Sequence, residues 1–582
     1  MPKSAPFLVT CLLGAATVTF SGCASLNPSS NQDNAHAQAA KAAPAEPAIE
    51  YADFQPEVLY LLTSAEIAAQ RGRYDVTLVN YLKAAKQSRD KGVIARAMRI
   101  AQSLNADNAQ TQLADLWLDV EPDNLQAHRV AAIQAVKRND LEAALGHMEH
   151  ILNQGADADF DSLAAMAGNL PKEQQQELLS LYQKMAERHP NNPELEYSIA
   201  LLLKLNGQSG MALKRLDALL EAHDNFQPAI VLRGELLYEA GRKEDALDYL
   251  MTNTRRFPDS RQMGTLYARM LIDEGDLQAA QDEFQRLVER YPDNAGLLLS
   301  HALVALENGE KDTARDELTS LVERGHHSNE ASYYLGRIAE SDGNKDGAIG
   351  FYQSVEQGSF YFPALARASA LLVEQGRADE ALAQVRTLRD SHPKQAENFW
   401  LLEVNLLLDA KRPDEALASA TKALDAYPDN AQILYARGML YDSLDQPEKA
   451  EADLTRIVER EPNNAVALNA LGYILTTRTD RLEEARGYIT RALKLDPNNP
   501  AILDSMGWVL YQEGRLDAAL PYLKSAWKAY PDPEVAAHYG EVLWMAGDEE
   551  QARIVWKQGL KTDPNHPVLR ETLERLTGST RP

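Results

Sequence analysis

Cysteine is nearly absent from this chain: two residues among 582, at positions 11 and 23. Two thiols cannot build a disulfide framework or a four-cysteine zinc site. Basic charge is also in short supply. The 59 Lys and Arg face 85 Asp and Glu, for a formal charge of −26. That balance argues against a nucleic-acid partner, whose phosphates need clustered cations. No Gly-rich phosphate loop and no nucleophile motif is present. The histidine pairs His147/His150 and His326/His327 have no third ligand at metal-site spacing. Catalytic residues, cofactor and metal are therefore all expected to be none, and the chain is read as a non-enzyme. Glycine (31), proline (27) and 7 % aromatics exclude a fibrous or disordered composition. At roughly 100–200 residues per domain, the length admits several ordinary domains or one repetitive array.

The first residues carry a different signal. Lys3 precedes an apolar run of 14 residues from Phe7 to Phe20. That is too short to span a bilayer, which takes about 20 residues, and right for the apolar region of a signal peptide. Phe20-Ser21-Gly22-Cys23 follows and resembles the lipobox of bacterial lipoproteins, with Phe20 where that family usually has Leu. The resemblance implies cleavage before Cys23 and its acylation, which makes Cys23 the lipid anchor and discards Cys11. Residue 24 is Ala rather than Asp, which in that family implies the outer membrane. Residues 24–50, rich in Ala, Asn, Gln, Pro and Ser, read as a flexible tether.

Beyond the tether the chain repeats. Gly207, Gly241, Gly275, Gly309 and Gly343 stand 34 residues apart, and each is followed five residues later by an alanine. The alanine series runs from Ala144 through Ala212, Ala246, Ala280, Ala314, Ala348, Ala381, Ala416, Ala450, Ala485 and Ala519 to Ala552. Prolines keep the same beat, as in the Pro-Asn-Asn and Pro-Asp-Asn turns at 428–430, 462–464 and 497–499. Each residue type has a mechanical role. Glycine caps the C-terminus of a first helix, alanine lets a second helix cross it closely, and proline cannot continue that second helix. Gly234, Gly336, Gly438, Gly472, Gly507 and Gly540 form a further small-residue series in the first helices.

This pattern resembles the tetratricopeptide repeat (TPR), a helix–turn–helix of about 34 residues. The fold class expected is all-α, an α-solenoid superhelix of about fifteen helix pairs, weakest over the N-terminal third. The layout reads as signal peptide 1–22, lipidated tether 23–57, degenerate repeats 58–190, TPR array 191–566, and capping helix with tail 567–582. Residues 155–175 depart furthest from the pattern and suggest an irregular pair. Nothing remains for a catalytic domain, and the groove lined by first helices is expected to hold another protein or an extended peptide.

In such a repeat the fifth and ninth positions of the first helix face the groove, one turn apart. They read Tyr197/Leu201, Val231/Glu235, Thr265/Arg269, Tyr333/Arg337, Trp400/Val404, Tyr435/Met439, Asn469/Tyr473 and Asp504/Trp508. Partner-binding candidates are therefore Tyr197, Arg269, Tyr333, Arg337, Trp400, Tyr435, Tyr473 and Trp508, aromatics being common interface anchors. The same rings could instead fill helix–helix contacts within the array. No Lys stands at these fifth positions, which argues against a clamp for a peptide's C-terminal carboxylate. The whole layout resembles the outer-membrane TPR lipoproteins of pseudomonads, and among them the adaptors of carboxyl-terminal processing proteases. That resemblance implies a periplasm-facing scaffold that binds a protease and its cell-wall hydrolase substrates and promotes their proteolysis. A second reading is an assembly factor, such as a pilotin or export scaffold, for outer-membrane secretion or polysaccharide machinery. Both take protein partners, touch the membrane only through the lipid, and need no nucleic acid or small-molecule substrate.

Overall fold

The structure, a computed structural model, describes residues 55–356 and 358–582. The expected signal peptide, Cys23 and nearly all of the tether lie outside the described residues. Thirty-one α-helices (α1 to α31 in chain order) and two 3₁₀ turns account for the regular structure of the described residues, and no strand occurs among them. They form fifteen successive helix pairs and one terminal helix, the all-α solenoid that the 34-residue beat predicts.

Two compact units divide at Asp159/Phe160. Among its described residues the first holds α1 to α6, between residues 56 and 153, as three pairs, with one apolar cluster that runs from α1 to α5 and includes Ile94, Met98, Leu113 and Trp117. The second holds α7 to α31, between residues 160 and 577. It opens on the irregular pair: a seven-residue α7 (Phe160–Met166), a 3₁₀ turn, and a seventeen-residue α8 (Lys172–Arg188). From residue 339 to residue 573 its buried apolar residues form one continuous cluster, as expected where each repeat buries its face only against its neighbours.

The repeated residues do what their chemistry allows. All twelve alanines of the series are completely buried. Most of the first-helix glycines are tightly constrained too: a Cβ on Gly336 would lie 2.6 Å from the Tyr352 ring, and one on Gly540 2.1 Å from Trp556 Nε1, whereas Gly438 has 3.4 Å to Leu454. Where the first helix must end, Gly241 adopts φ +78°, and the amides of Gly241 and Arg242 donate back to Tyr238 and Leu237. The turn asparagines add a function that sequence reading had not given them. Asn192, Asn294, Asn430 and Asn464 cap the next first helix, each accepting from a backbone N–H three residues on at 2.7–3.0 Å. Charged pairs about thirty residues apart, such as Lys243–Glu274 at 2.6 Å and Lys345–Glu374 at 2.8 Å, bridge neighbouring pairs on the surface. Each joins one cation to one anion, leaving the acidic surplus unchanged, and contributes little by itself.

Candidate protein-interaction face

Within the second unit, several first helices of consecutive pairs touch one another directly, as α19 (Tyr361–Glu374) touches α21 (Ala396–Asp409), and α27 (Pro500–Gln512) touches both α25 (Ala465–Arg478) and α29 (Pro533–Met545). The fifth position is wedged into this first-helix layer, so Val231 and Asp504 are buried. The ninth is more open, and Arg269 and Arg337 are exposed there.

The aromatic candidates are partly committed to the array. Tyr197 is half-buried, edge-on to Phe226 with centroids 5.8 Å apart, and burial raises its phenol pKa. Tyr333 packs on Phe360 at 4.9 Å and on Tyr352 at 5.7 Å. Tyr435 is half-buried, its phenol likewise pushed up by burial. Tyr473 donates to Glu534 at 2.5 Å, and Trp508 stacks on His538 at 4.0 Å.

Trp400 requires a correction of register. Ala416 fixes the phase of its repeat: counted as in the Gly438/Ala450 pair, position eight is Val404, and Val404 is completely buried as that position demands. The groove positions are thus Leu401 and Asn405, one residue beyond the pair expected from sequence. Trp400 instead lies against the neighbouring second helices. The Arg389 guanidinium on α20 (Ala378–Ser391) stacks 3.6 Å from its ring centroid, and Lys422 on α22 (Pro413–Ala426) approaches at 5.9 Å. It is a cation–π contact between repeats.

One helix leaves the face open. In α19 the fifth and ninth positions are both alanine, Ala366 and Ala370, and a cleft of about 530 Å³ lies over them. Its walls are Tyr333, Arg337 and Glu340 of α17 (Ser328–Ser341) and Leu402, Asn405 and Asp409 of α21. Arg367 crosses the cleft to Glu340, its Nε 2.9 Å from both carboxylate oxygens. Those hydrogen bonds hold the Glu340 carboxyl below its ordinary pKa.

Towards the C-terminus the same face is closed by its own polar network. His538 Nδ1 lies 2.8 Å from Asp504 Oδ2 with both side chains buried. Burial disfavours the imidazolium, but the charge and hydrogen bond of Asp504 outweigh it, so the His538 pKa is raised. Tyr511 donates to Glu541 at 3.1 Å, and Arg575 of α31 (Pro567–Thr577) pairs with the same carboxylate. Burial, then Glu534, drives the Tyr473 phenol well above its usual value.

The first unit holds a contrasting cluster. His128 of α5 (Leu125–Lys137) meets His147 of α6 (Leu141–Asn153), Nδ1 to Nδ1, at 2.9 Å. His128 Nε2 lies 2.9 Å from the Pro122 carbonyl. Only an N–H can satisfy a carbonyl, so in neutral His128 the other nitrogen accepts and His147 Nδ1 donates. The His150 ring stacks on His128 at 4.0 Å, and its Nε2 lies 3.2 Å from Asp123. Burial lowers both the His128 and His147 pKa values, and the neighbouring histidines lower them further. These rings satisfy one another, and no three His, Cys, Asp or Glu side chains among the described residues are arranged to hold a metal ion. No described helix is long and apolar enough to cross a membrane.

Comparison with known proteins agrees with this geometry. The tetratricopeptide repeat pattern matches residues 231–361 and 366–500 in overlapping stretches, and a second form of it matches 510–576. The chain is similar to a TPR repeat-containing protein of Pseudomonas aeruginosa, 38 % identical over 532 residues, covering 91 % of this chain and 90 % of that one. Among solved structures it is similar to a tetratricopeptide repeat protein of Parabacteroides merdae, at 17 % identity and TM-score 0.35, over 42 % of this chain and 98 % of that one. It is also similar to a chain of the APC/C hetero-tetramer Cut9–Hcn1, at 14 % identity and TM-score 0.33, over 90 % of this chain and 97 % of that one.

Proposed function

The chain belongs to the tetratricopeptide repeat family, a fold of protein–protein scaffolds, and from that premise we propose an outer-membrane-anchored adaptor facing the periplasm. In this reading Cys23 carries the lipid, and the second unit binds a carboxyl-terminal processing protease and its cell-wall hydrolase substrates, promoting their proteolysis. The observation that carries the binding role is the open cleft over Ala366 and Ala370 on the first-helix face. That face is sealed by side-chain networks further on and left unfilled here. The anchor rests on the Phe20-Ser21-Gly22-Cys23 sequence, and the identity of the partners rests on the resemblance of the layout to lipoprotein adaptors.

Two measurements test the proposal. Cys23→Ala should keep the helical circular dichroism and move the protein from the outer-membrane fraction to the soluble periplasmic fraction. Retention of that variant in the outer membrane would refute the lipid anchor. Affinity capture from detergent-solubilised envelopes should recover a serine protease together with a peptidoglycan hydrolase. A secretin or export subunit in their place would move the function to assembly of outer-membrane machinery.

A further inference from the structure

The cleft over α19 also says what kind of segment it takes. Most of the charge around it is already spent: Arg367 is bound by Glu340 and lies 3.6 Å from Glu374. Two groups are not. Arg337 makes no salt bridge among the described residues; its guanidinium lies 5.7 Å from the Tyr334 ring centroid and acts only weakly, through its charge, on the Glu340 that Arg367 already binds. The Asp409 carboxylate, on the opposite wall, makes no salt bridge or hydrogen bond among the described residues. One wall therefore offers a positive charge without a salt bridge, the other a negative charge without one, and the floor between them is the methyl surface of Ala366 and Ala370. Asn405 stands beside that floor, exposed, with an amide that can both donate and accept.

We propose that this cleft reads an extended peptide segment carrying one acidic and one basic side chain about six residues apart, with a branched apolar side chain between them. The proposal rests on the scaffold reading above and specifies its ligand. The spacing follows from geometry. Arg337 and Asp409 sit on first helices two steps apart, with α19 between them, and a step of about 10 Å, the wide end of ordinary helix spacing, gives roughly 20 Å. An extended chain advances about 3.3 Å per residue, so roughly six residues span the two charges. The acidic residue faces Arg337, the basic residue faces Asp409, and the apolar residue covers the alanine floor, where a larger groove side chain would stand in other repeats. A segment with two charges of one sign would gain one contact and suffer one repulsion.

The test is fluorescence anisotropy of the full chain in detergent with four labelled nonapeptides on a Gly/Ser background, each with leucine at the fifth residue. One has glutamate second and lysine eighth, one has two glutamates, one has two lysines, and one has the opposite charges adjacent. The first should bind about tenfold tighter than the two like-charged peptides and about threefold tighter than the one with adjacent charges, since each exposed charge contact or repulsion is worth about threefold. Arg337→Ala and Asp409→Ala should each remove about threefold of that preference. Ala370→Phe should abolish binding while leaving circular dichroism unchanged, because the ninth position tolerates Tyr473 and Trp508 in other repeats. Four peptides within twofold of one another, no binding at about 1 mM, or indifference to these variants would each overturn the proposal. Envelope capture separates its failure from that of the scaffold. If wild-type and Ala370→Phe proteins capture the same protease, the scaffold stands and this cleft is not its reading site. If the wild type captures none, the adaptor reading itself fails.

Discussion

The two units each bury histidine, and at His128/His147 and His538 the surroundings shift its pKa in opposite directions. In the first, His128 and His147 share one hydrogen bond between two ring nitrogens, with His150 stacked alongside. A proton added to either ring would sit beside other histidines in a partly desolvated pocket, and both pKa values are lowered. In the second, His538 is more deeply buried, yet Asp504 lies 2.8 Å away and its pKa is raised. Burial acts in the same direction at both sites. What differs is the contacting partner: another imidazole in one, a carboxylate in the other. Depth of burial alone therefore predicts the wrong sign for His538.

The largest expected break in this comparison is Asp504→Ala. It leaves His538 buried without its counter-charge, and removing one partner of such a pair costs about 3 kcal/mol or more. Hydrogen-exchange protection in α27 and α29 should fall by about two orders of magnitude, with little change in α5 and α6. A uniform loss across both units would show that the pair is not a local device.

Glycine substitution should divide the units next. Gly540→Ala places a Cβ against Trp556, while Gly146→Ala in α6 meets nothing within 4 Å. The first should destabilise by about 2 kcal/mol through overpacking. The second should stabilise by about 0.5–1 kcal/mol through helix propensity. Urea titrations of the two variants should move in opposite directions, and equal shifts would contradict the close helix crossing at Gly540.

The smallest effect is the most diagnostic. A histidine whose folded pKa is depressed stabilises above its unfolded value near 6.5 and loses that contribution as pH falls. A histidine whose folded pKa is raised contributes fully below that value and loses it as pH rises through the folded pKa. Exchange protection, corrected for intrinsic rate, should therefore weaken in α5–α6 on acidification from pH 7 and weaken in α27–α29 on alkalinisation. The charged groups facing the first site are Asp115, Asp123, Arg138 and His150. Those facing His538 are Asp504, Glu534 and Glu541. Parallel pH trends at the two sites would remove the contrast.

Much of the fold was legible because packing constrains it at fixed intervals. The buried alanines and left-handed glycines are the residues that helix crossing and helix termination demand, so their spacing revealed the array. The N-terminal third read poorly for a specific reason. The left-handed residue after α3 (Lys91–Ser103) is Asn105, and after α5 it is Asn139, at φ +49° and +61°. Asparagine tolerates that conformation, so the 34-residue beat continues there in a residue type that a search for glycine passes over. The cleft was less legible. Trp400 drew attention as an aromatic, while Ala366 and Ala370 look like ordinary helix residues until both are placed at groove positions. Counting back from Ala416 would have moved the expected pair to Leu401 and Asn405.

Sequence alone determined the repeat, its period, its cap positions and the all-α architecture, because these depend on local backbone preferences and on contacts recurring at one spacing. It also supplied the only two cysteines, of which Cys23 stands in the lipobox-like run and outside the described residues. Tertiary structure decided which side chains on the first-helix face are consumed and which remain. His538 finds Asp504 one repeat away, Arg367 finds Glu340, and Trp400 finds Arg389, each across a helix boundary that periodicity does not resolve. Arg337 and Asp409, which line the cleft over the alanine floor without a salt bridge, are what that pairing leaves over.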